Sequence, residues 1–117
     1  MDKNIIEIIP VLPSENIDRD TAWYVSKLGF EVVWSDNMYA LIKKETISVH
    51  LQWHANTSED PLLGGSLIRI LVKDIYSIYQ DLLNKKSISS DKLRLNTPWN
   101  THEFGIFDLN QNAIFFV

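Results

Sequence analysis

The side chains in this 117-residue chain that could do chemistry are few. There are three histidines, His50, His54 and His102, with Glu103 directly after the last. Together they are the only set resembling a metal site. His50 and His54 fall on one face of an alternating stretch, yet four strand residues at about 3.3 Å each put them about 13 Å apart. That is too far for one ion, which wants three protein ligands around an open position. The chain has no Cys, so thiolate nucleophiles, disulfides and Cys-based metal centres are excluded. No Ser-His-Asp order or carboxylate pair is evident. The Gly64-Gly65 pair lacks the spacing of a phosphate cradle. Four tryptophans are many for this length. Trp23 and Trp53 read as packing, on a helix beside Tyr24 and on an apolar strand face. Trp34 and Tyr39 flank an Asp36-Asn37 turn, and Trp99 lies in a loop after Pro98.

The elements that would position these groups follow from periodicity. Ile5 to Leu12 reads as a strand, with Pro10 forcing an edge or bend because it has no N–H for a ladder. Asn16 or Asp18 caps a helix from Ile17 to Leu28 that should bury Ile17, Ala22, Trp23 or Tyr24, Val25 and Leu28, with Gly29 ending it. Strands Phe30–Ser35, Met38–Lys43 and Thr46–His54 follow. The last sends Ile47, Val49, Leu51 and Trp53 one way and Ser48, His50, Gln52 and His54 the other. A polar linker covers about 55–65. Then come strand Leu67–Val72, a helix capped by Asp74 with stripe Ile75, Ile78, Tyr79, Leu82 and Leu83, and strands Leu93–Leu95, Glu103–Phe107 and Ala113–Val117. Ile17 and Ile75, which open the two helices, stand half a chain length apart. The expectation is an α+β single domain, 1–117, of two tandem βαβββ modules, about 1–55 and 66–117, whose curved mixed sheet forms a cup with the helices outside. A ferredoxin-like split βαβ unit has too few strands after each helix to compete.

Composition narrows the partners. Eleven Lys and Arg against fifteen Asp and Glu give a net charge of −4, which argues against nucleic acid. No apolar run approaches the roughly 20 residues of a membrane helix. The apolar stretch near the N-terminus is cut at Pro10 and Pro13, unlike a signal sequence. A cytoplasmic protein is expected.

Three segments resemble a known family. Pro10-Val11-Leu12-Pro13-Ser14-Glu15-Asn16-Ile17-Asp18, then Trp23-Tyr24 with Lys27-Leu28-Gly29-Phe30, then Pro98-Trp99-Asn100-Thr101-His102-Glu103-Phe104 with Asp108-Leu109-Asn110-Gln111-Asn112, resemble the vicinal oxygen chelate superfamily. It includes glyoxalase I, extradiol dioxygenases, fosfomycin-resistance proteins and bleomycin-binding resistance proteins. The local match is to the last group. Asn100 stands where that group's pattern has Gly, and Leu109 where it has Pro.

The resemblance implies a homodimer with the N-terminal strand exchanged near Pro10, and a ligand groove at the dimer interface. The four metal-ligand positions of metal-dependent members fall at Ile9, His50, Leu67 and Phe115. Three are apolar, so no metal or other cofactor is expected. Trp34, Tyr39 and Trp99 align with groove aromatics, suited to stacking a flat ligand or holding a cation. His50, Gln52, Arg69, Glu103 and Phe115 complete the expected ligand-binding set. Arg69, amid apolar neighbours, should pair with Glu103 or another acid. The leading expectation is a non-catalytic protein that sequesters a bleomycin-like small molecule. The alternatives are a metal-dependent glyoxalase- or dioxygenase-type enzyme, and a superfamily member binding an unknown metabolite.

Overall fold

The computed structural model describes residues 3–117, so the first two residues of the expected first module lie outside it. The fold is α+β. The first half contributes β1 (Val11–Ser14), α1 (Ile17–Leu28), β2 (Glu31–Ser35), β3 (Tyr39–Lys44) and β4 (Ile47–Trp53). They form a sheet in the order β1-β4-β3-β2, with β1 parallel to β4 and the other pairs antiparallel. The second half contributes β5 (Leu67–Ile70), α2 (Ile75–Asn84), β6 (Phe104–Phe107) and β7 (Ala113–Phe116). These strands form a separate sheet in the order β5-β7-β6, with β5 parallel to β7. Both sheets are open.

Each helix starts where a side chain can satisfy its free N–H groups. The Asn16 side chain accepts from the Arg19 N–H, and Asp74 accepts from the Tyr76 and Ser77 N–H groups. Gly29 ends α1 at φ 77°, in the left-handed conformation that glycine adopts cheaply. One apolar cluster runs through both halves. It includes Leu12, Tyr24, Phe30, Ile42 and Leu51 from the first and Leu82, Phe104, Ile114 and Phe116 from the second. Tyr24 meets Phe30 edge-on, and Phe104 stacks on Phe116.

Three sequence expectations are corrected. The strand expected over Ile5–Leu12 begins only at Val11. Pro10 cannot donate, and the arm before it has no strand alongside, so Ile5, Ile6 and Ile8 are 86–94% exposed. The buried stripe of α1 is Ile17, Asp20, Thr21, Tyr24 and Leu28, while Ala22 and Val25 face outward. The strand expected at Leu93–Leu95 reduces to one bridge between Arg94 and Glu103, because Asn96 turns the chain at φ 52°. The second sheet therefore has three strands.

Asp20 is buried because it belongs to a polar network joining the halves. Its carboxylate accepts from Ser14 Oγ, from Arg19 Nε and, across the halves, from Asn110 Nδ2 at 2.6 Å. Asn110 Oδ1 in turn accepts from the Glu15 N–H at 3.0 Å. Asp108 accepts from the Tyr24 hydroxyl, the Asn112 side chain and the N–H groups of Asn110 and Asn112. Asn112 Nδ2 also donates to the Pro13 carbonyl at 3.1 Å. Gly64 in the linker packs so close that a Cβ there would stand 2.7 Å from the Asn110 carbonyl.

Burial, then the neighbouring Asp108 charge, pushes the Tyr24 phenol far above its ordinary range. A phenol held protonated in the folded state contributes stability that is complete below about pH 10, the unfolded value, and is lost as pH rises beyond it. Tyr24→Phe should lower the unfolding free energy by about 1–3 kcal/mol at neutral pH in urea denaturation. In an alkaline absorbance titration Tyr24 should ionise only as the chain unfolds; reversible ionisation of all four tyrosines in the folded state would contradict this.

Candidate functional site: two open sheet faces

The helices cover one face of each sheet and leave the other open. On the first sheet, strand register sets the open face as rows. Trp34 lies beside Leu41, Leu41 beside His50, and His50 beside Val11; in the next row Tyr39 lies beside Gln52 and Gln52 beside Pro13. Trp34 reaches this face through a β-bulge. Val32 pairs with Ile42, whose side chain is in the core, and simple alternation would send Trp34 the same way. The register shifts between Val32 and Trp34, so Trp34 pairs with Leu41 on the open side and is half exposed. Tyr39 Oη and His50 Nδ1 are 2.9 Å apart, with the rings edge-on. Asp36 shapes the turn between β2 and β3 by accepting from the Met38 and Tyr39 N–H groups.

On the second sheet, Arg69, Phe115 and Gly105 form a row across β5, β7 and β6. The Phe115 ring lies over Gly105, where a Cβ would stand 2.6 Å from a ring carbon. Glycine there is what lets the ring lie down on the sheet. Glu103, just before β6, is almost fully buried at 3% exposure. Its Oε2 accepts from Trp99 Nε1 at 3.1 Å, Thr101 Oγ1 at 3.1 Å and Arg69 Nη2 at 3.5 Å. The expected Arg69–Glu103 pairing is present in this geometry. The Trp99 and Thr101 hydrogen bonds, with the Arg69 charge, hold the Glu103 carboxyl below its ordinary value, the Trp99 bond most strongly. The Arg94 guanidinium stands 5.3 Å from the centre of the Trp99 ring, over its face. Asn100 adopts φ 66°, the left-handed conformation that Asn tolerates, at the position where the bleomycin-binding pattern has Gly.

The eight candidate residues therefore form two groups. Trp34, Tyr39, His50 and Gln52 share the first sheet's open face, and Arg69, Trp99, Glu103 and Phe115 gather on the second. Cavities of about 430, 480 and 310 Å³ occur elsewhere, and none of the eight lines them. Sequence reasoning missed Arg94 and Thr101. A basic residue within reach of a tryptophan was visible, but the Arg94–Glu103 bridge that brings them together was not.

The four positions that the sequence resemblance assigns to metal ligands carry one side chain able to ligate, His50. The side chains of Ile9, Leu67 and Phe115 have no donor atom. The other imidazoles are engaged separately: His54 Nδ1 is 2.7 Å from Asp60 Oδ1, and His102 Nδ1 accepts from the Asn96 N–H. Among the described residues no helix is long and apolar enough to cross a membrane.

Comparison with known proteins bears on the fold. No family model matches the chain. It is 23% identical over 126 aligned positions to the bleomycin resistance proteins of Geobacillus stearothermophilus and Staphylococcus aureus, with 96% of each chain covered. Among solved structures, the bleomycin-binding protein of bleomycin-producing Streptomyces verticillus, complexed with copper(II)-bleomycin, superposes with TM-score 0.80 at 18% identity, covering 99% of this chain and 98% of that one. A glyoxalase/bleomycin resistance protein/dioxygenase from Nocardioides gives TM-score 0.75 at 12% identity, covering 99% and 84%. The chain has the fold of these solved proteins, and its sequence is similar to the bleomycin resistance proteins over nearly its whole length.

Glu103 supplies the test of this local geometry. A carboxyl held low in the folded state contributes stability that is complete above about pH 4.3, the unfolded value, and is lost as pH falls through its folded-state value. The gap in unfolding free energy between the wild type and Glu103→Gln should therefore narrow as pH is lowered from 7 to 3. A constant gap would contradict the assignment.

Proposed function

We propose that this protein is a non-catalytic binding protein that sequesters bleomycin or a bleomycin-like small molecule, conferring resistance to it. The carrying observation is the division of the candidate residues, none of which lines the three cavities described above, into two open, aromatic-bearing faces. In our reading the two halves are tandem modules of a single domain. The first-half face of one copy opposes the second-half face of another, and a homodimer has two such grooves. Trp34, Tyr39 and Trp99 provide flat rings for stacking, and His50, Gln52 and Arg69 the polar contacts. Glu103 acts from beneath by fixing Trp99 and Arg69. Exposed apolar residues on or beside these faces, among them Trp34, Val11, Leu67 and Phe107, support burial against a second copy. The bleomycin-resistance relatives and the bleomycin-bound neighbour support the choice of ligand. We assign such a protein to the cytoplasm.

The N-terminal arm supports the same assembly. Val11 pairs in parallel with His50, and the Pro10 carbonyl accepts from the His50 N–H. Carried further back in register, Ile9 would lie beside Ser48 and Ile8 beside Ile47. The arm instead leaves the sheet at Pro10. The cavity of about 430 Å³ is walled by Ile47, Ile70, Val72 and Phe116, next to the track the arm leaves. We place the partner's arm there, with its isoleucines on that apolar wall.

Calorimetric titration with bleomycin should show binding by the full-length protein, and Trp99→Ala should weaken it about tenfold or more. No binding, or equal binding by the variant, would refute the reading. Removing residues 1–9 should shift the light-scattering mass from that of a dimer, twice 13.6 kDa, to that of a single shortened chain. A full-length protein already monomeric at working concentration would refute the shared groove.

A further inference from the structure

The charged groups in contact around Trp99 sum to the sign opposite to that of the whole chain. The chain's net charge is −4, yet the charged groups that touch Trp99 or Glu103 are two arginines and one carboxylate. That carboxylate is already committed: it is buried, and one of its oxygens takes three donors. Arg69 is different. Its side chain is 42% exposed, and Nη2 makes its one ion pair at a long 3.5 Å. The remaining N–H groups of its guanidinium are available to the open side. The Trp99 ring is asymmetric in the same sense. Arg94 lies over one face, while the residue as a whole is 52% exposed. A ligand cation on the other face would compete with Arg94 for the same π-electrons and meet a net positive surround. A ring bearing an anion meets neither obstacle.

We infer that Trp99, Arg69 and Phe115 form an anchor for an aromatic group carrying a carboxylate or similar anion, an inference that rests on the reading of Trp99 as a ligand contact. The ring stacks on the free face of Trp99, and the anion pairs with the outward edge of the Arg69 guanidinium. One small molecule can span both, because the Trp99 indole nitrogen and the Arg69 guanidinium bond to the same carboxylate oxygen. Phe115, lying flat over Gly105 beside Arg69, supplies an apolar wall. Glu103 is a positioning residue for both contacts. Its low-lying pKa keeps it ionised at neutral pH, so the charge balance of the anchor does not change there.

The test is calorimetric titration of the full-length protein with three probes that share one ring system: 2-naphthoate, 2-naphthylmethanol and 2-naphthylmethylammonium. Naphthoate should bind about tenfold more tightly than the alcohol, and the ammonium most weakly. Trp99→Ala should weaken all three. Arg69→Gln should cost naphthoate about tenfold and change the alcohol less than twofold, and Arg69→Lys should recover part of the loss. Binding of the ammonium equal to or tighter than that of naphthoate, an unchanged naphthoate affinity in Arg69→Gln, or no binding of any probe would overturn the anchor. Naphthoate binding without bleomycin binding would overturn the bleomycin reading and leave the anchor standing. Bleomycin binding without the anion preference would do the reverse.

Discussion

The architecture depends on the buried polar network between α1 and the 108–112 turn. Asp108 accepts four hydrogen bonds and Asp20 three, and between them they join the Tyr24 and Ser14 hydroxyls to two asparagines of the other half, of which Asn112 also donates to the Pro13 carbonyl. Burying two carboxylates is tolerable only when each is saturated with donors, and here nearly every partner is present. Among the described residues the one buried side-chain atom without a partner is Asn112 Oδ1. An apolar contact could have slid. This network fixes one relative position of the two halves, with the strand end of one against the turn of the other.

Everything chemical then falls on the surfaces that the core does not use. Helix packing consumes one face of each sheet, and the residues left over are Trp34, Tyr39, His50 and Gln52 on one side and Arg69, Glu103 and Phe115 on the other. Two backbone details decide what those faces present. The bulge before Trp34 turns a large aromatic from the helix side to the open side. The missing side chain at Gly105 gives Phe115 room to lie flat. Trp99 needs a third device, the Glu103 carboxylate, because it comes from a loop and has no strand to aim it.

Much of the fold was legible because hydrophobic periodicity reports packing directly. Both helices, their Asn16 and Asp74 caps and the Gly29 terminus follow from local rules, and β2 to β4 lie within a residue or two of expectation. Periodicity failed where burial is polar. It favoured Ala22 and Val25 over Asp20 and Thr21, because a pattern of apolar residues cannot reveal an aspartate saturated by groups as distant as Asn110. It also failed where structure needs a neighbour. The isoleucine-rich arm reads as a strand, but Pro10 cannot donate to a ladder, and the arm before it leaves the β4 edge instead of pairing along it. The site was legible only as residue types on alternating faces. The bulge, the Arg94–Glu103 bridge and the separation of the eight residues into two groups arise from register, which the sequence pattern does not specify.

The central claim is that each ligand groove takes one face from each of two copies. The direct measurement is bleomycin binding by a mixture of Trp34→Ala and Trp99→Ala chains, unfolded and refolded together. Each variant alone should bind poorly. A heterodimer of the two has one groove with both tryptophans intact and one with neither, so the mixture should regain a fraction of the wild-type sites at wild-type affinity. If the mixture binds no better than either variant alone, the two faces do not meet across chains, and the shared-groove account is contradicted.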